Sequence, residues 1–202
     1  MKIIKNKKVL VIAGTTGAGE STITNEIIKS YPIFTRLVTA TTRKPRLKEK
    51  NRKDYYFFSI KRFKQEIKKG NILEHTYIKN RNVYYGSFKP DLDRKIKKGF
   101  NIIINPDLVG AKFYQKNYNA ATIFIMPDSL KNLKKRLTVR EPNISKEELK
   151  KRLGYAKYEI RKEAPFYNYI VINRQGKLNG AINKVKKIIK NEGYILGAID
   201  KN

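Results

Sequence analysis

Gly14, Thr15, Thr16, Gly17, Ala18, Gly19, Glu20, Ser21 and Thr22 follow directly on the apolar run 9–13 and have the residue types to grip phosphate. Glycines at this spacing let successive backbone N–H groups curl around phosphate oxygens. A helix opening beside Ser21 adds about half a positive charge at its N-terminus. The pattern G-x-x-x-x-G-x-S-T is that of a phosphate-binding P-loop, so every residue of the stretch is a candidate nucleotide contact. The alternative is a glycine turn that only joins a strand to a helix. Glu20 stands where the pattern has lysine. A carboxylate about 4 Å from a phosphate charge repels it by about 4 kcal/mol at an effective dielectric of about 20. The loop therefore needs a cation from elsewhere, either Mg²⁺ or a basic side chain from another segment. For the helix itself an acidic first turn is favourable.

Other residues suit an anionic, planar ligand. Arg43 and Arg46 stand three apart in Thr39–Arg46, and guanidinium forks hold phosphate better than ammonium groups do. Glu74 interrupts an apolar segment, where a carboxylate is costly without donors. It could accept paired N–H bonds from a guanine edge, or it could simply face solvent. Tyr55 and Tyr85 offer phenol donors, although with 13 tyrosines each alone reads more simply as structural. Arg136, Arg140 and Arg152 flank the polar stretch 138–144, from which they could close over a transferring phosphoryl group.

The elements that must position these groups alternate between strand and helix. This predicts an α/β, three-layer fold with a central parallel sheet. Strands are expected at 9–13, 36–39, 55–58, 72–78, 83–85, 101–105, 121–125 and 169–172. Helices are expected at 21–30, 60–69, 90–98, 108–115, 129–137, from Ser145 onward and at 178–189. Ser145 to Glu148 forms a capping box. The chain reads as one domain, with core segments 1–42, 90–137 and 146–191, a small α+β insertion at 43–89, a lid at 138–145 and a tail at 192–202.

Bulk composition narrows the chemistry. With no cysteine and one histidine, His75, thiolate and histidine-based metal sites are excluded. No run of 18 apolar residues and no signal-peptide core is present, so no membrane partner and a cytoplasmic location are expected. Lys and Arg number 46 against 17 Asp and Glu, for a net charge of +29. That surplus suits anionic ligands, but the lysines are spread evenly and no nucleic-acid recognition motif accompanies them. Nucleic acid is not an expected partner.

Taken in order, the motifs resemble those of the guanylate kinases over about residues 7–191. After the P-loop come Thr41–Arg46, Asp54–Phe57, Glu74, Tyr84–Gly86 and Asn105–Gly110. Then follow Phe124–Pro127 with Ser129 and Leu130, Lys135–Leu137 with Arg140, Arg152 and Leu153 with Ala156, and Val171–Asn173. The resemblance implies that Arg43, Arg46, Tyr55 and Tyr85 hold the phosphate of GMP, while Glu74 and Thr39 read guanine. It further implies that Arg136, Arg140 and Arg152 are the lid arginines, that Asn173 lies beside the adenine of ATP, and that Ser21 supplies the Mg²⁺-binding hydroxyl. The implied activity is ATP-dependent phosphorylation of GMP to GDP, by a monomer or homodimer. Two departures accompany Glu20. The family's acidic turn normally has two aspartates, and here Asn105 stands first and only Asp107 remains; His75 replaces an aromatic residue. A GMP-binding module with weak or no catalysis is the alternative expectation, carried by Glu20.

Overall fold

The computed structural model describes residues 7–197. The first strand, β1 (Val9–Gly14), alternates its side chains between two cores. Leu10 and Ile12 pack on one face, Val9, Val11 and Ala13 on the other, and all are buried. Burial on both faces explains why this strand reads as an unbroken apolar run. Helix α1 (Glu20–Ser30) follows, then β2 (Phe34–Arg36), β3 (Ala40–Thr41), β4 (Tyr56–Phe57), α2 (Ile60–Lys68), β5 (Ile72–Ile78) and β6 (Val83–Phe88). Next come α3 (Lys89–Lys97), β7 (Asn101–Ile104), α4 (Leu108–Tyr118), β8 (Ala121–Pro127) and α5 (Leu130–Arg140). The chain closes with α6 (Lys146–Tyr158), β9 (Tyr169–Asn173) and α7 (Leu178–Asn191).

Two sheets result. The larger has the order β2-β7-β1-β8-β9 and is parallel throughout. Residues of α1 and α7 complete the core on one face, those of α3 and α4 on the other. The chain leaves β1 toward β2 on one side and returns through β8 on the other, so the loop after β1 sits where open α/β sheets bind ligands. The smaller sheet has the order β4-β3-β6-β5 and is mixed, with β3 and β4 parallel and β6 antiparallel to both β3 and β5.

The expected strand at 36–39 is replaced by a hand-over between these sheets. Leu37 N–H still donates to Ile103 O in the large sheet, at 2.9 Å, whereas Thr39 O already accepts from Tyr56 N–H in the small one, at 2.8 Å. Between them, Val38 N–H donates to the buried carboxylate of Asp91 at 2.9 Å. Helix α5 also runs further than its sequence pattern suggests. It continues through Arg140, because the Thr138 hydroxyl donates back to Lys134 O and Lys135 O, satisfying itself without leaving the helix. Only residues 141–145 remain as a connection, and Ser145 then caps α6 by accepting from Glu148 N–H at 3.1 Å. Helix α6 passes into a π-type turn, Glu159–Glu163, for which its apolar periodicity gives no sign. Among the described residues no helix is long and apolar enough to cross a membrane. Of the expected tail, 198–202 lie outside the described residues.

Candidate active site

The loop after β1 is shaped by its glycines. Gly17 and Gly19 hold φ of 89° and 97°, in the left-handed region that side chains disfavour. Gly19 is also the N-cap of α1 and makes no side-chain cap bond, so the first N–H groups of the helix stay available to an anion. A Cβ at Gly19 would lie 2.5 Å from the amide nitrogen of Asn173. That amide donates to Ala18 O at 2.7 Å and so fixes the loop from below. Asn173 is itself buried, and its backbone oxygen accepts from Arg136 Nη2 at 2.8 Å. Arg136 donates further to Gln175 Oε1 at 3.0 Å and to Ala18 O at 3.4 Å. Gly14 to Gly17, Gly19 to Thr22, Arg136 and Arg140 line one cavity of about 340 Å³. In the same loop the Thr15 hydroxyl is buried without a partner.

A second cavity, of about 250 Å³, is lined by Thr39, Tyr55, Glu74, Thr76, Tyr85, Ser87 and Asp107, with Asn105 at its rim. Glu74 owes its aim to a β-bulge. The register of β5 on β6 shifts between Ile72 and His75, which inserts one extra residue and turns the strand. Two glycines make room for it. A Cβ at Gly86 would meet Glu74 O at 2.7 Å, and one at Gly110 would lie 2.6 Å from Pro106 Cβ and 3.1 Å from Glu74 Oε2. Burial raises the Glu74 carboxyl above its ordinary value. The Ser87 O–H donated to it acts the other way, and the nearby Asp107 adds to the rise. Asp107 caps α4 by accepting from Gly110 N–H at 3.1 Å, and it accepts the Thr76 hydroxyl as well. Asn105 donates to Ile12 O at 2.8 Å and to Thr24 Oγ1 at 3.1 Å, tying the end of β7 to β1 and α1.

A larger cleft, of about 790 Å³, joins the two. It shares Thr16 and Arg140 with the loop cavity and Ile78 with the acid-floored cavity, and Arg46 and Arg152 also line it. Arg152 is held by Glu148 and Glu141, both at 2.8 Å. Arg43 is fixed behind the small cavity. The hydroxyls of Thr41 and Thr42 bond the backbone of Tyr84, and Thr41 also accepts from Arg43 N–H. This sets the Arg43 guanidinium against Tyr85, whose hydroxyl accepts from Nε at 3.2 Å, and 5.3 Å from the Tyr55 ring centre.

The chain matches the family model described as guanylate kinase over residues 6–192. That span covers all of both sheets and every residue lining the three cavities. The chain belongs to the guanylate kinase family. A guanylate kinase of Clostridium acetobutylicum is 36% identical over 199 residues, covering 98% of this chain and 92% of the relative. One from Rickettsia prowazekii is 34% identical over 94% of this chain and 93% of its own length. The crystal structure of guanylate kinase from Anaplasma phagocytophilum aligns with a TM-score of 0.69 at 25% identity, over 94% of this chain and 88% of that one. These relatives lend no support to the alternative of a module without catalysis.

Two charged groups that sequence reasoning passed over are decisive here. Glu49 sits in the charged stretch 47–53, which reads as a solvated loop, yet it accepts both terminal nitrogens of Arg43, at 2.9 and 2.8 Å. Arg36 is the other. It faces Glu20 from β2, and the two line one groove together with Ser21 and Asn105. For a guanylate kinase, Glu20 is an unusual occupant of the loop, and its surroundings make it weakly acidic. Burial pushes its carboxyl up to about 7; Arg36 opposes the rise and Glu159 adds to it. The ordinary value is 4.5. A carboxyl raised in the folded state favours the fold fully below about pH 4.5 and loses that contribution as pH climbs through about 7. Glu20→Gln stays neutral throughout. Thermal unfolding is therefore expected to give the same Tm for both proteins in acid and a more stable variant above neutrality, by on the order of 3 kcal/mol. A constant offset across the pH series would show that Glu20 titrates normally.

Proposed function

We propose that the chain transfers the terminal phosphoryl group of ATP to GMP, yielding ADP and GDP, with ATP phosphates on the glycine loop and GMP in the acid-floored cavity. One observation carries this reading. A loop built for phosphate and a pocket with a carboxylate floor open onto one cleft whose lining includes Arg46, Arg140 and Arg152. An oxygen of the GMP phosphate forms the new bond to the γ-phosphorus as the bond to the β-γ bridging oxygen breaks. Little covalent assistance is needed, so the protein acts by positioning and by neutralising charge.

Each group then has a task. Glu74 accepts the N1–H and 2-amino protons of guanine, and Thr39 at the same cavity supplies a hydroxyl. Arg43, Arg46, Tyr55 and Tyr85 hold the GMP phosphate. The N–H groups of the glycine loop and the start of α1 hold the ATP phosphates, and the buried, unpartnered Thr15 hydroxyl is in place to join them. Asn173, under the loop, marks the adenine side. Arg136, Arg140 and Arg152 surround the phosphoryl group in transit. The donor set also fits Mg²⁺, which binds hard oxygen ligands and keeps few protein contacts in kinase sites. The Ser21 hydroxyl and the adjoining Glu20 carboxylate would hold it, and Asp107 would orient groups from the far side of the cleft. When bound, the ion supplies neutralisation of phosphate charge.

Coupled measurement of ADP release tests the reading. ADP formation is expected to require GMP, with AMP and UMP poor substitutes, since neither presents both donors that Glu74 accepts. Equal turnover with AMP would refute the guanine-reading cavity.

A further inference from the structure

We infer that Glu49 is a positioning residue for the phosphate end of the GMP site, acting through Arg43. The inference rests on the reading of Arg43 as a phosphate donor. An arginine carries five N–H bonds in a fixed fork. At Arg43, Nε donates to Tyr85 Oη at 3.2 Å, and Nη1 donates to Lys44 O at 2.7 Å and to Glu49 Oε2 at 2.9 Å. Nη2 donates to Glu49 Oε1 at 2.8 Å. Four bonds are thus committed, and the single free N–H is on Nη2, on the edge facing Tyr85. The Tyr85 hydroxyl accepts from Arg43, so its own proton is free to point the same way.

Glu49 therefore decides which edge of the fork is offered. It also accepts Arg46 N–H at 2.8 Å, so one carboxylate fixes a side chain and the loop that carries Arg46. Side-chain exposures are 20% for Arg43 and 18% for Glu49, so the pair is partly covered, and Arg43 lies against Tyr85 and Tyr55, two residues that line the acid-floored cavity. The Arg43 donation holds the Glu49 carboxyl down at about 2, so the pair is ionic at any working pH. Its charges cancel. What Arg43 brings to a phosphate is a directed donor, while Arg46, with no ion pair among the described residues, brings the uncompensated charge.

The ratio of GMP to guanosine affinity isolates the phosphate, because guanosine fills the base pocket alone. Titration calorimetry on the whole chain is expected to give a ratio about tenfold lower for Glu49→Gln, with guanosine affinity unchanged. Glu49→Asp, which keeps the paired acceptors, should recover part of the loss. In an Arg43→Ala background Glu49→Gln, whose amide oxygen can still accept Arg46 N–H, should change the ratio far less than in the wild type. An unchanged or higher ratio in Glu49→Gln overturns the inference, as does full additivity of the two substitutions. If Arg43→Ala alone leaves the ratio intact, the reading of Arg43 fails instead, and the two failures are told apart.

Discussion

Glu74→Gln is expected to raise the KM for GMP about a hundredfold while leaving the KM for ATP within about twofold, because one paired base contact is worth 1–3 kcal/mol and an unpaired buried donor adds to the loss. A carboxylate accepts from both N1–H and the 2-amino group of guanine. An amide offers one acceptor and sets its own N–H against the other donor. The site cannot relax around the change, since the bulge in β5, the bare Cα of Gly110 and the Ser87 hydroxyl all fix the group's place. Two further readouts follow. IMP lacks the 2-amino group, so discrimination between GMP and IMP should shrink in the variant. Burial raises the Glu74 carboxyl, so wild-type GMP affinity should fall as the pH drops through that raised value, and the variant's profile should be flat there. A GMP affinity that Glu74→Gln leaves unaltered would remove the carboxylate from base recognition.

What could be read from sequence follows the range of the interaction. The glycine loop was legible because backbone geometry demands glycine at fixed spacing after a strand, and Gly17 and Gly19 do take the left-handed conformation that such a loop needs. The parallel sheet was legible because strands buried on both faces must be apolar without alternation. Periodicity reports which face a residue occupies, however, and not which charge lies across a gap. Glu49 stands among Lys48, Lys50, Arg52 and Lys53, where a carboxylate looks like one more solvated charge. Arg36 and Glu159 converge on Glu20 from β2 and from the turn after α6, and no spacing rule links positions so far apart. The hand-over at Leu37 to Thr39 was hidden for a related reason. Its hydrogen bonds go to two sheets and to Asp91, a partner far along the chain, so the residues themselves read as one short strand.

At the glycine loop the largest loss is expected for Arg136→Ala, about a thousandfold in kcat, the lower end of what a transition-state arginine contributes in phosphoryl transfer. On the proposed reading this loop has no cation of its own, since Glu20 takes the lysine's place. Arg136 is held beside it by Asn173 O, Ala18 O and Gln175 Oε1 and shares its cavity, so its charge is in position before the nucleotide arrives. Arg136→Lys should recover little, because an ammonium group cannot span those acceptors and still face the phosphates. Glu20→Lys added to Arg136→Ala should recover about tenfold, since it removes a repulsive charge and restores an attractive one at the start of α1. The thermal midpoint separates chemistry from folding: the buried Ala18 and Asn173 stay tied to each other by the Asn173 amide when Arg136 is removed, so a modest fall in Tm should accompany a large fall in kcat. A loss of kcat below about tenfold would make Arg136 a strut for the loop. The phosphoryl charge would then have to be met by Arg140, which lines the loop cavity with Glu20, and by Arg46 and Arg152 along the cleft, while Arg36 opposes the Glu20 carboxylate.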